Sequence, residues 1–138
     1  MQDKRLVKGY EFNLNWKPAN FVSVDAYYAH SEAEQNETYY RIPNDKWALT
    51  LSFVPIPNMH LSINYQHTDK RKDFDYTTFS EITMNEFDVI NANINYSLFD
   101  NRLKVYGALN NITNVQNIGV HGFNSMGRNV TLGIKYSF

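Results

Sequence analysis

Four histidines, one charge run of mixed sign and a set of loop aromatics are the residues of this chain with chemistry to offer. His60 and His67 are seven apart, so on one strand they face opposite sides and cannot share a metal. His30 and His121 have no partner at ligand spacing either. Asp69-Lys70-Arg71-Lys72-Asp73-Phe74-Asp75 is the charge run. Asp73 and Asp75 carry the oxygens a hard cation such as Ca²⁺ takes, but such an ion needs more than two carboxylates, and the run reads as solvated surface. Tyr39-Tyr40-Arg41, Tyr76, His121 and Phe123 stand in or beside long polar stretches, where aromatic rings suit a bulky planar ligand. No Ser/His/Asp set, phosphate-cradling loop or paired catalytic carboxylate stands out. The chain has no cysteine, which removes disulfides, thiolate metal sites and thiol nucleophiles together. A net charge of −1 gives no phosphate-neutralising surface for nucleic acid. These residues point to binding, with no enzyme, resident metal or cofactor expected.

The elements that must position them are strands. Tyr10, Phe12, Leu14 and Trp16 alternate with Glu11, Asn13 and Asn15, and Ile90, Ala92, Ile94 and Tyr96 alternate with Asn91, Asn93 and Asn95. Segments around Val22–Tyr28, Trp47–Phe53, Leu61–Tyr65, Leu103–Leu109 and Val130–Phe138 read the same way. Side chains on a strand point to opposite faces in turn, so each segment has one apolar and one polar face. Each runs about 9–11 residues, the length at which a tilted strand crosses a bilayer, whereas no apolar run approaches the roughly 20 residues of a membrane-spanning helix. The connections alternate too. Lys17-Pro18-Ala19, Pro55-Ile56-Pro57-Asn58 and Phe99-Asp100-Asn101 have turn chemistry, and between them lie the long polar stretches 31–46, 69–86 and 113–129. In an antiparallel meander all short turns then fall at one end and all long loops at the other, the layout of outer-membrane barrels.

The aromatics sort by height in that layout. Trp16, Phe21, Phe53, Tyr96 and Phe99 fall at the level of Phe138, and Tyr10, Tyr28, Trp47, Tyr65 and Phe87 at the opposite level, as two interfacial belts would. The expected fold is all-β: an antiparallel transmembrane β-barrel meander of about seven strands. A soluble sheet with one buried face and a lipocalin-like barrel would alternate as well, but neither sorts its aromatics by level. Asn91, Asn93, Asn95, Glu11 and Asp25 then face the lumen.

The last strand has Val130, Leu132, Ile134, Tyr136 and Phe138 at alternate positions and resembles the C-terminal assembly signal of outer-membrane proteins. In that class the barrel-assembly machinery reads it, by strand addition to an exposed edge. Leu109-Asn110-Asn111-Ile112-Thr113-Asn114 resembles the Asn-Leu-Phe-Asp type motif that ends the penultimate strand of TonB-dependent receptors, with Asn111 where Leu is usual and Ile112-Thr113 for Phe-Asp. Gly127-Arg128 resembles the Gly-Arg that opens their last strand, and Arg41-Ile42-Pro43 the Arg-Ile-Pro that opens an earlier one. Gly119-Val120-His121-Gly122-Phe123 before Gly127-Arg128 is most similar to the vitamin B12 and related siderophore receptor branch.

The resemblance covers essentially the whole chain. It implies that residues 1–138 are the C-terminal part of a 22-stranded barrel, with the plug domain and the earlier strands upstream of Met1, which would lie inside an extracellular loop. It further implies a Gram-negative outer membrane, uptake of a metal complex such as a ferric siderophore or cobalamin, and contact with TonB through the plug. Membrane lipid and lipopolysaccharide phosphates would meet the lysines and arginines outside. A small eight-stranded barrel acting as adhesin or structural protein is the competing expectation.

Overall fold

The computed structural model describes residues 7–33, 40–116 and 119–138. Strands β1 (Val7–Ala19), β2 (Val22–Ala33), β3 (Asp45–Phe53), β4 (Met59–Thr68), β7 (Phe87–Leu98), β8 (Leu103–Asn110) and β9 (Asn129–Tyr136) form one seven-stranded sheet in that order, each antiparallel to its neighbours. Strands β5 (Arg71–Asp75) and β6 (Ser80–Met84) make a separate hairpin between β4 and β7. That hairpin lies within a stretch read from the sequence as plain loop. Its first strand is Arg-Lys-Asp-Phe-Asp, whose side chains disfavour a strand by composition. Cross-strand pairing compensates, with Lys72 Nζ 2.6 Å from Glu81 Oε1.

Register explains the two faces. One row across the sheet reads Trp16, Val24, Leu51, Ile63, Ala92, Leu109, Val130, all apolar. The next row reads Asn15, Asp25, Thr50, Asn64, Asn91, all polar, and Asn110 pairs with Asn129 on the same face. Side-chain bonds run along it: Asn15 Nδ2 donates to Asp25, Asn64 Nδ2 to Thr50 Oγ1 at 2.8 Å and Asn110 Nδ2 to Asn129 Oδ1 at 2.9 Å. The apolar row starts near the short-turn end of β1 and arrives at the long-loop end of β9. That stagger is what strands tilted to a barrel axis produce.

Among the described residues nothing covers the apolar face. Trp16 is 57% exposed, Ile63 53%, Leu132 79% and Ile134 72%, and Ala29 and Val89 are the buried apolar residues among those described. A soluble sheet would bury this face against a second layer; a sheet whose solvent is lipid has no such need. The upper aromatic level sits on this face. Tyr10 lies 6.0 Å from Tyr28 and Trp47 4.8 Å from Tyr65, ring centre to ring centre. Polar atoms there are satisfied in two matching sets. Tyr28 Oη donates to Asp45 Oδ1 at 2.6 Å, with His30 Nδ1 at 2.9 Å, and Tyr65 Oη donates to Asp88 Oδ1 at 2.6 Å, with His67 Nδ1 at 2.8 Å. Phe87 does not join that belt. It is out of phase with Ile90, Ala92, Ile94 and Tyr96, so it turns to the polar face. Pro18 is not at the turn either: β1 runs on to Ala19 through a register shift between Trp16 and Ala19, the kind of irregularity that tolerates proline.

Candidate functional site

The long-loop end is organised around one carboxylate. Asp73, on β5, is 0% exposed. Arg41 Nε donates to its Oδ1 at 2.9 Å, as does the Phe74 amide at 2.9 Å, and the His121 amide donates to its Oδ2 at 2.9 Å. Arg41 belongs to the first long loop and His121 to the third, so Asp73 joins all three. Burial alone would raise the Asp73 carboxyl; the donors from His121, Phe74 and Arg41 outweigh it and hold the group below the usual carboxylate range.

Neighbouring bonds brace the hub. Arg41 takes a left-handed φ of 69°, and its own amide donates to the Lys72 carbonyl at 2.6 Å. Arg71 is buried, donates Nη2 to the Gly119 carbonyl at 3.1 Å and lies 5.2 Å over the Phe87 ring. Since Phe87 is on the polar face, hairpin and third loop lean over that face. Burial lowers the Arg71 guanidinium and the Asp73 charge partly offsets this. At the hairpin tip Asp75 accepts from the Thr77 amide and the Thr78 hydroxyl, both at 2.8 Å; these donors hold its carboxyl low.

The third loop is clamped at its base. Asn111 is buried; its Nδ2 donates to the carbonyls of Val115 at 2.7 Å and Met126 at 3.1 Å, and its amide donates to Asn91 Oδ1 at 2.9 Å. Asn114 Oδ1 accepts from the Arg128 amide at 2.9 Å, while Arg128 Nε donates to the Ile112 carbonyl at 2.9 Å. A Cβ on Gly127 would stand 2.8 Å from Asn114 Oδ1, so a larger residue before Arg128 would push that side chain away from the Arg128 amide it accepts from. The strand-ending motif and the Gly-Arg motif are thus one structure.

Of the residues expected to face a ligand, Tyr39 lies outside the described residues. Tyr40, Arg41, Tyr76 and His121 are brought together around β5. Tyr40 packs edge-on to Phe74 at 5.7 Å, and Phe74 to Tyr76 at 5.2 Å, giving an aromatic ladder of which Tyr76 is 70% exposed. Arg41 is engaged with Asp73, and the His121 ring stands 3.8 Å from Asp75. Phe123 is 72% exposed and joins no ring pair among the described residues. Both Asp73 oxygens are engaged by N–H donors, two on Oδ1 and one on Oδ2. Among the described residues no three His, Cys, Asp or Glu come together as a metal site. Neither Phe74 as the middle rung nor Asp73 as the hub had a sign in the sequence beyond a carboxylate directly before an aromatic in the charge run.

A lipid-facing staggered sheet with one loop-rich end defines a class, the wall of an outer-membrane barrel. Comparison with solved structures gives the section. The siderophore receptor PirA from Acinetobacter baumannii matches with a TM-score of 0.79 at 13% identity, over 97% of this chain and 22% of that one. The FrpB iron transporter from Neisseria meningitidis matches at 0.75 and 16%, over 96% and 24%, and the ferripyoverdine receptor of the outer membrane of Pseudomonas aeruginosa, bound to ferripyoverdine, at 0.73 and 17%, over 96% and 19%. The chain therefore has the fold of a section of the TonB-dependent receptor barrel and spans about a fifth of the length of the structures it matches. No family model matches it, nor does any curated protein.

Proposed function

We propose that this chain is the C-terminal part of a TonB-dependent receptor in a Gram-negative outer membrane, and that the whole protein takes up a ferric siderophore. The observation that carries this reading is the joined loop cluster at one end of a lipid-facing sheet, with the Tyr40–Phe74–Tyr76 ladder exposed on it. Aromatic faces give contact area at low entropic cost to a large, partly planar ligand. The receptors of similar fold are described as binding or transporting iron and siderophores, which favours a ferric complex over cobalamin. The plug and the TonB contact belong to the upstream sequence. Val130, Leu132, Ile134, Tyr136 and Phe138 serve the assembly machinery as the edge strand, and lipopolysaccharide surrounds the loop end.

The test is uptake by cells expressing the full-length gene, with and without TonB, of labelled ferric siderophores and of cobalamin. TonB-dependent iron uptake that falls about tenfold in apparent affinity in the Tyr40→Ala, Tyr76→Ala double variant is expected, the effect of losing about 1.4 kcal/mol. Uptake of cobalamin alone would overturn the ligand; uptake of neither would overturn the receptor reading.

A further inference from the structure

The three long loop segments, 31–46, 69–86 and 113–129, hold nine Asp and Glu against six Lys and Arg. The loop end is therefore net negative, and it stays so when His121 is protonated. Few of the six cations are open to an anion. Arg41 holds the buried Asp73 at 2.9 Å; a ligand anion that drew it off would leave a buried carboxylate without its charge partner, which is strongly destabilising. Arg71 is buried and donates to the Gly119 carbonyl at 3.1 Å. Lys72 Nζ lies 2.6 Å from Glu81 Oε1, so an anion reaching one meets the other. Arg128 is turned to the Ile112 carbonyl at the base of the third loop. Lys46 and Lys70 remain, exposed and without an ion pair among the described residues, and Asp69 and Glu86 likewise have none. The uncharged surface, by contrast, is open: Tyr76, Phe79, Phe123 and Met126 are all largely exposed.

We infer that these loops select a ferric complex with no net negative charge, of the trihydroxamate type, over one of the tricatecholate type. The inference rests on the reading above that the whole protein takes up a ferric siderophore, and it names the class of that ligand. Ferric iron carries three positive charges. Three hydroxamates, each having lost one proton, cancel them; three catecholates, each having lost two, leave the chelate with three negative charges in excess. An approaching trianion crosses a field of its own sign, which slows encounter, and it finds few cations that it can take without uncovering an acid. A neutral chelate meets no such barrier and is held by contact of its organic shell with the exposed ring faces. Such contact is insensitive to salt, whereas repulsion between exposed charges is screened beyond about 10 Å at ordinary ionic strength.

Two chelators built on one tripodal triamine, one bearing three hydroxamates and the other three catecholates, test it when loaded with radioactive iron. In outer membranes from cells expressing the full-length protein, the trihydroxamate should bind with an affinity that does not change with salt. The tricatecholate should bind about tenfold more weakly and gain as salt rises. Asp69→Lys combined with Glu86→Lys, which touches neither the Asp73 hub nor the aromatic ladder, should strengthen tricatecholate binding about tenfold and leave the trihydroxamate unchanged. Tricatecholate binding as tight as that of the trihydroxamate, or weakening as salt rises, overturns the inference, as does a double variant that leaves the tricatecholate where it was. TonB-dependent uptake separates the two claims: uptake of the tricatecholate alone removes only the ligand class, whereas uptake of neither chelate removes the receptor reading and the class with it.

Discussion

Replacing Asp73 with alanine removes the shared acceptor of three N–H groups, each at 2.9 Å. A buried hydrogen bond to a charged group contributes about 1.5–3 kcal/mol. Arg41 is 43% exposed on its side chain and regains water, so its share falls to about 1 kcal/mol or less. The Phe74 and His121 amides meet a carboxylate with no exposed surface and contribute about 1.5 kcal/mol each at the low end of that range. Some of the roughly 4 kcal/mol total returns when the parted amides find water, leaving about 3 kcal/mol, or somewhat over a hundredfold in the opening equilibrium. Hydrogen exchange of the full-length protein in detergent reads this directly. Exchange at Phe74, His121 and Arg41, whose amide bonds to Lys72, should accelerate together by about a hundredfold, while amides in β3, β4 and β7 keep their protection. Asp73→Asn, which keeps one acceptor oxygen, should fall between. If the His121 amide stays protected in Asp73→Ala, the carboxylate does not join the loops and the reasoning fails.

Gly127→Ala should cost about 1 kcal/mol, because the added Cβ displaces the Asn114 side chain that accepts from the Arg128 amide; an unchanged melting temperature would count against the clamp. Leu49→Arg puts a charge on the lipid face and should destabilise the folded barrel in bilayers by about 2–4 kcal/mol, whereas Thr50→Arg, on the opposite face, should change it little; equal effects would reverse the face assignment. Acid should open the loops. Asp73 is lowered in the folded protein, so its contribution is complete above the unfolded carboxylate value of roughly 4 and is lost as pH falls through the lower folded value. Exchange at His121, corrected for intrinsic rate, should stay flat from about pH 5 to 8 and rise only below about pH 4; a rise near neutrality would assign the opening to another group.

The sheet was legible because its rule is simple. Where Leu14, Trp16, Leu49 and Leu51 alternate with Asn13, Asn15, Ala48 and Thr50, one face must be apolar, and the pairing Leu49 with Ala26 and Tyr65 follows from turn positions. The strand ends were less legible: β1 passes through Pro18, and the hairpin of β5 and β6 hid in a charge run. The site was half legible. Tyr40, Tyr76 and His121 stand in or beside long polar stretches, and the structure brings them together around β5; their contact with a ligand belongs to the proposal. Asp73 could not be given its role, since burial of a charged residue in a run of charged residues depends on loops that approach from residues 41 and 121. Phe87 was placed on the wrong face because an aromatic at belt height was counted without its parity.

The same contrast explains why the fold is shared with receptors only 13–17% identical while the ligand surface need not be. A lipid-facing strand asks of every second residue only that it be apolar, and of the others that they be polar, so Leu, Ile, Val, Phe or Ala serve alike and identity drifts while register stays. The base of the third loop asks for more. Asn111 donates to two carbonyls and Gly127 leaves room for the Asn114 side chain, so these positions are less free than the wall and fix where the loop leaves and re-enters the sheet. At the loop tips, Tyr76 of the hairpin and Phe123 of the third loop are largely exposed and make none of the hydrogen bonds to Asp73. The loop tips can therefore vary without disturbing either the wall or the hub, and on the function proposed above that is where selection between ligands would be expected.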